Sequence, residues 1–374
     1  MSDAQQQDVE TVLSQPPFGA SEEERVSTLL PLLTELVEAS AANCEPYRNL
    51  VRHWPVHPRE AKSIAELPFL PVEVFKRTEP LATVPPDEFQ RVIASSSTTG
   101  QTPSLIAVDR TTAWRMSRTT SAIFGDFIGK HRRPMLVADA PRANPASINV
   151  GARDAAVRGL MPFATESVHC LEPTNDGTLA VDIDRLLAFL ERHRAESVLV
   201  YGFTTLLWLN FVQPLKDAGI TLDHADVHVL HSGGWKRLAD RSVDKTAFIA
   251  GVASTFGTTA DRVIDFYGLV ENLGIVYPDC SEGHKHAPTY GQVIVRDPVT
   301  AEPVTEGGTG FLQLCSIIPN SFPGHLLLTE DMASVAMYDG CPCGRPGIAF
   351  RFESRVPKAE VRGCGNIRPR GDGE

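Results

Sequence analysis

The 374-residue chain sets 46 acidic against 35 basic side chains, a net charge of −11, and is 42% apolar, the balance of a globular protein that buries a substantial core. The negative surplus argues against a nucleic-acid surface, and no apolar run approaches bilayer-spanning length. Seven cysteines, an odd number spread along the chain, argue against a secreted disulfide framework, and the polar, acidic N-terminus lacks a basic and then apolar leader, so the cytoplasm is the expected location.

Taken in chain order, residues 1–90 read as a helical region, with Leu29, Leu32, Leu33, Leu36 and Val37 at helical spacing until Leu67-Pro68-Phe69-Leu70-Pro71 ends it. From Val92 short apolar runs alternate with amphipathic helices. Strands are expected at Val92–Ala94, Met135–Ala138, Val198–Tyr201, Val227–Leu230 and Val263–Phe266. Ile183, Leu186, Leu187 and Leu190 mark one helix face. That alternation predicts an α/β fold, with a β-rich stretch at Gln292–Val295 and Gly310–Leu314 completing a core over 91–350. The basic run Lys130-His131-Arg132-Arg133 reads as a solvated turn, and residues 351–374 as a polar hinge and tail.

In open α/β sheets ligands bind beyond the carboxyl ends of the strands, so the turns there carry the chemistry. Ser95-Ser96-Ser97-Thr98-Thr99-Gly100-Gln101-Thr102-Pro103 follows the first strand; backbone amides and small hydroxyls in such a turn converge on phosphate, although no Gly-Lys-Ser/Thr follows as in a Walker loop. Ser232-Gly233-Gly234-Trp235-Lys236 and Tyr267-Gly268-Leu269-Val270-Glu271 end two others. Tyr267 offers a ring to stack on, Glu271 a hard oxygen for Mg²⁺, and Asp331 an acceptor-only carboxylate that suits a pair of hydroxyls. Bland readings exist for each: a solvated hydroxyl turn, a strand-end tyrosine beside a solvated glutamate, a helix cap at Asp331 and an exposed ion pair at Arg355.

In order, Ser95–Pro103, Tyr267–Glu271, Leu328-Thr329-Glu330-Asp331 and Arg355 resemble the phosphate, adenine, ribose and hinge motifs of the adenylate-forming superfamily, which activates carboxylates with ATP as acyl-AMP. Within it, Leu67–Lys76, His231–Lys236, Cys341-Pro342-Cys343-Gly344-Arg345 and Glu360-Val361-Arg362-Gly363-Cys364 resemble the LuxE-type acyl-protein synthetases of bacterial luminescence, near the phenylacetate–CoA ligase branch. The resemblance runs from about residue 65 to 367. It implies the large-domain fold of these enzymes without the full C-terminal lid domain. It also implies that Ser96, Thr98, Thr99, Gly100, Gly233 and Gly268 line the nucleotide, that Tyr267 stacks on adenine, that Asp331 and Arg355 hold ribose or phosphate oxygens, and that Glu271 holds Mg²⁺.

The phosphate loop departs from the superfamily pattern in having Ser104 where a lysine usually stands; Lys236 is the expected substitute, with a solvated loop lysine as the other reading. Cys280, His286, Cys341 and Cys343 supply the ligand types of a closed Zn²⁺ site, His284 being a rival imidazole and buried free thiols the alternative. Cys364, beside Arg362 and flanked by glycine, is placed by the resemblance where the family accepts its acyl group. The expected function is therefore activation of a small-molecule carboxylic acid with ATP and Mg²⁺, transfer of the acyl group to Cys364, and delivery of the thioester to a partner such as an NADPH-dependent acyl reductase. An acyl- or aryl-CoA ligase, or a scaffold subunit that kept the fold and lost the activity, are the alternatives. Neither nucleic acid nor membrane is an expected partner, and an oligomer is left open.

Overall fold

The computed structural model describes residues 3–95, 102–141, 149–175, 178–224, 226–235 and 242–355. Its centre is a parallel sheet in the order β6–β4–β9–β10–β11–β12, built from β4 (Arg133–Ala138), β6 (Ala164–His169), β9 (Val198–Phe203), β10 (Val227–Ser232), β11 (Val263–Tyr267) and an antiparallel edge strand, β12 (Tyr277–Pro278). Every residue of β4 is buried, as expected for strands covered on both faces. On one face α6 (Ile183–Arg192) and α9 (Lys245–Phe256) bury Leu186, Phe189, Phe248 and Phe256 against Leu136, Val200 and Val229. On the other, α4 (Arg110–Ile128) and α5 (Ala152–Leu160) bring Phe124 and Leu160 onto Met135, Leu199, Tyr201 and Phe266. Asp109, Asp182 and Asp244 cap α4, α6 and α9 by accepting the backbone N–H of Thr112, Arg185 and Ala247, which satisfies donors that have no partner inside a helix.

A second, antiparallel sheet runs β13–β17–β16–β15–β14, from β13 (Lys285–His286), β14 (Gly291–Arg296), β15 (Thr309–Ser316), β16 (Leu326–Tyr338) and β17 (Ile348–Arg355). The N-terminal helices α1 (Asp3–Leu13), α2 (Glu22–Asn43) and α3 (Glu45–Arg52) pack on this sheet, with Leu29, Leu33, Leu36 and Val37 in one core with Leu312, Leu314, Leu327 and Phe350. Even β1 (Leu70–Pro71) joins it, parallel to β16 through Leu70↔Leu327 and Pro71↔Leu328. Within residues 3–90 the apolar stripes of these helices thus share one core with the antiparallel sheet. A small sheet, β3–β2–β5, joins β2 (Arg91–Ala94), β3 (Leu105–Val108) and β5 (Asn149–Gly151).

A buried ammonium links the two main sheets. Lys285 Nζ, on β13, donates to Asp279 Oδ1 at 2.9 Å, Asp265 Oδ2 on β11 at 3.3 Å and the Tyr277 carbonyl at 3.3 Å. Burial alone would lower its pKa, yet the charges of Asp265 and Asp279 outweigh that and raise it, so the lysine stays charged.

Two readings of the sequence change. Arg133 is buried and opens β4, donating to Ser197 Oγ at 3.0 Å and to the Ile128 and His131 carbonyls, so the basic run is not a wholly solvated turn. The boundary at 350/351 falls inside β17, because Arg351–Arg355 continue its pairing with β16.

Arg25 is buried on α2, paired with Glu22 and donating to the Ala287 carbonyl at 3.0 Å. Gly347 turns the chain into β17 with φ +81°, and a Cβ there would collide with the pinned Arg25 guanidinium. Gly347→Ala should therefore destabilise the protein by roughly 2 kcal/mol or more, through backbone strain and overpacking together. Urea denaturation midpoints of the two proteins check this.

Candidate active site

The polar end of β11 faces the middle of β16, beside the last residue of β17. Within β16 and β17 the register sets Asp331 opposite Arg355. Arg355 Nε donates to Asp331 Oδ1 at 2.9 Å, and Tyr267 Oη, at the end of β11, donates to Asp331 Oδ2 at 2.7 Å. The Asp331 amide donates to Thr329 Oγ1 at 3.1 Å, and that hydroxyl donates to the Leu312 carbonyl at 2.7 Å, so the carboxylate sits on a braced, buried turn of strand. Burial first, then the negative charge of Asp331, lifts Tyr267 well above its ordinary pKa, which keeps the phenol a donor. Its ring lies 5.3 Å from Phe352 at 31° and 6.0 Å from Tyr277. Three residues read separately in the sequence are one hydrogen-bonded unit.

Glu271 lies beside them, buried. Burial raises its pKa above 4.5, and the nearby Ser104 hydroxyl, its own backbone and the charges of Lys76 and Arg355 recover only part of that. Ser104 closes the neck of the hydroxyl-rich loop: Ser95 N donates to the Ser104 carbonyl at 3.0 Å, and Ser104 N to Ser95 Oγ at 2.8 Å. Ser96, Thr98, Thr99 and Gly100 themselves lie outside the described residues, as do Lys236 and Cys364.

Sequence reasoning missed Lys76. Its backbone bridges Ser104 in antiparallel fashion, and its Nζ lies 3.3 Å from Glu330 Oε2 and 3.4 Å from Glu73 Oε1. A cation thus reaches the neck of the hydroxyl-rich loop from outside it. The only sequence signal was its place at the end of Leu67–Lys76.

Gly233 takes φ +81°, a conformation that favours glycine, just after β10. The turn is held from below: Thr204 Oγ1 lies 3.1 Å from the Ser232 carbonyl, 3.0 Å from the Gly233 carbonyl and 3.0 Å from His231 Nδ1. Burial lowers the His231 pKa, and its Nε2 is buried without a partner among the described residues. Gly268, exposed, follows Tyr267. At the end of β4, Asp139 is buried and accepts from Arg153 Nε at 2.6 Å, a pair with no sequence signal.

On the far side of β17 a second cluster forms. One ligand atom each from Cys280, His286, Cys341 and Cys343 fits within 4.8 Å of the others. Cys280 Sγ and Cys341 Sγ are 3.9 Å apart, and Cys343 Sγ is 3.3 Å from His286 Nε2. A tetrahedron with Zn–S bonds of about 2.3 Å has S···S edges of about 3.8 Å, so the spacing fits zinc. Burial pushes Cys341 up to about 12 and raises Cys280; for Cys343 burial acts the same way but is outweighed by the Arg345 backbone amide and the two neighbouring thiols, and its pKa falls. Burial, then Arg345, pushes His286 down to about 4, leaving a neutral imidazole. The rival His284 places Nδ1 3.5 Å from Cys341 Sγ, but its Nε2 accepts from Arg351 at 2.7 Å.

The parallel sheet, whose strand ends meet the antiparallel sheet at the tyrosine–aspartate–arginine unit, has the large-domain fold of adenylate-forming ligases. The backbone bears this out: 2-hydroxyisobutyryl-CoA ligase, in its open conformation with 2-hydroxyisobutyryl-AMP and CoA, superposes with a TM-score of 0.69 at 16% identity over 93% of this chain and 79% of that one. Its postadenylation state gives 0.67 at 15% identity over 90% and 69%. The chain belongs to the family of LuxE acyl-protein synthetases, whose description, "Acyl-protein synthetase, LuxE", matches residues 2–369. Long-chain-fatty-acid–luciferin-component ligases of Vibrio harveyi and Aliivibrio fischeri are 24% and 25% identical to it, over 81% and 86% of this chain and 77% and 82% of theirs. It is accordingly an ATP-dependent ligase that activates a carboxylic acid as the acyl-adenylate and transfers the acyl group. Among the described residues no helix is long and apolar enough to cross a membrane.

Because Glu271 is raised in the folded protein, the folded state retains its proton better than the unfolded chain. Stability from this group is therefore lost as pH rises from about 4.5 through the raised value. In Mg²⁺-free buffer Glu271→Gln should be more stable than the parent at pH 8, with the gain shrinking as pH falls toward 4. Denaturation midpoints across that range measure it.

Proposed function

We propose that the unit of Tyr267, Asp331 and Arg355, with Glu271 and the loop closed by Ser104, is the nucleotide site of this ligase. What supports the reading is the convergence of a ring, an acceptor-only carboxylate and a guanidinium at the carboxyl edge of the parallel sheet, beside a buried acid. Tyr267 stacks on adenine on the ring face now covered by Phe352, while Asp331 accepts from ribose hydroxyls and Arg355 turns to a ribose or phosphate oxygen. Gly233 and Gly268 let backbone approach the ligand, and Ser96, Thr98, Thr99 and Gly100 donate to phosphate. Bound Mg²⁺ would neutralise phosphate charge, and Glu271 offers it an oxygen. Lys76 exchanges Glu330 for phosphate and supplies the cation that Ser104 cannot, with Lys236 the second candidate at the α-phosphate.

The substrate carboxylate oxygen attacks the α-phosphorus and pyrophosphate leaves. The Cys364 thiolate then attacks the acyl carbon, the bond to AMP oxygen breaks, and AMP departs. Long-chain fatty acids are the substrate class that the Vibrio and Aliivibrio relatives' names carry, and a protein acceptor such as an NADPH-dependent acyl reductase takes the thioester. Labelled fatty acid plus ATP should leave a hydroxylamine-sensitive label on the protein. Cys364→Ala should remove that label and keep carboxylate-dependent ATP–pyrophosphate exchange; a label that persists as thioester places the acceptor elsewhere, and loss of exchange in Tyr267→Ala and Asp331→Asn checks the site itself.

Cys280, His286, Cys341 and Cys343 hold one structural Zn²⁺, which fastens the turn before β13 to the turn before β17. Elemental analysis should find about one Zn²⁺ per chain, and Cys343→Ser should lower both metal content and thermal stability. Metal-free protein of unchanged stability rejects the site.

A further inference from the structure

A cleft of about 130 Å³ opens between β2, α4 and α5, and its lining is chemically one-sided. Side chains alternate along a strand, so Arg91 and Ile93 share one face of β2; Met116, Ser117 and Thr120 come from α4, and Ala155, Arg158 and Gly159 from α5. Two of these residues carry guanidinium groups, two carry hydroxyls, and none is acidic. Arg91 Nε is buried without a hydrogen-bond partner among the described residues, and Arg91 Nη2 reaches only the Met116 sulfur at 3.5 Å, a weak acceptor. Burial and then the positive charge of Arg158 depress the Arg91 pKa, so the two like charges act on one another.

An arginine does not escape such a setting by losing its proton. What relieves it is an anion between the two forks.

We propose that this cleft is a second oxyanion site, which takes a phosphate group. Two planar guanidinium forks and the Ser117 hydroxyl offer more donors than a carboxylate's two oxygens use, and they match the several oxygens of a phosphate. The site is not the phosphate loop. Arg91 begins β2 and the loop follows its end, so the two lie at opposite ends of a strand about 10 Å long. The group can arrive as inorganic pyrophosphate, the product of adenylation, or as the phosphate of an organic ester; the recognition chemistry is the same.

The test fills the nucleotide site with a non-hydrolysable ATP analogue and Mg²⁺, then titrates the full chain calorimetrically with pyrophosphate, inorganic phosphate and glycerol 3-phosphate at matched ionic strength. At least one of them should bind saturably, and the tightest identifies the source. Arg158→Gln, at an exposed position, should weaken that binding by at least about tenfold, as should Arg91→Gln, while affinity for the ATP analogue is unchanged. No saturable binding in the parent protein, or equal binding in parent and both variants, overturns the proposal.

Discussion

The Lys285 ammonium is the point on which the two sheets depend. It is fully withdrawn from water, and it stands between a carboxylate from the parallel sheet, Asp265, and one from the strand connection, Asp279. Such a buried group contributes little against an apolar replacement, but loss of one partner leaves an uncompensated charge at a cost of about 3–5 kcal/mol. Its value here is registration. Lys285 fixes β13 against β11, β13 pairs with β17, β17 sets Arg355 opposite Asp331, and β11 ends in Tyr267. The tyrosine–aspartate–arginine unit is assembled across a seam that this buried cation bridges together with the Tyr277–Phe350 ring contact.

One acid at that seam is placed against stability. Glu271 is buried where its ionised form is poorly solvated, and no guanidinium or ammonium lies in salt-bridge contact with it among the described residues. Asp331, by contrast, has both oxygens satisfied. The two carboxylates thus differ: Asp331 already accepts from a phenol and a guanidinium, whereas the charged form of Glu271 gains most from a nearby cation. Lys76, paired with Glu330, is likewise a charge with an exchangeable partner.

The Vibrio and Aliivibrio relatives share about a quarter of their residues with this chain, and a ligase with only 16% identity shares its backbone fold. The chemistry rests on a few strand ends.

Those strand ends are why much of the protein was legible in its sequence. Runs such as Met135–Ala138 and Val198–Tyr201 are long enough, and bounded well enough, to read as buried strands, and Tyr267–Glu271 and Leu328–Asp331 carry their residue types in a fixed local order. The Cys/His cluster could be read as a ligand set for the same reason, since two of its members are adjacent but one. Lys76 could not, because nothing in its own segment says that its backbone bridges Ser104. Nor could the burial of Arg133, which depends on carbonyls at Ile128 and His131 and the hydroxyl of Ser197 being turned toward it. By itself the sequence determined the elements, their order and the chemical types at their ends, because periodicity and turn chemistry are local. Which charges face each other was decided by the tertiary structure alone, since Tyr267 meeting Asp331, Lys76 meeting Ser104 and Arg91 meeting Arg158 each require a register or packing between segments that no local pattern encodes.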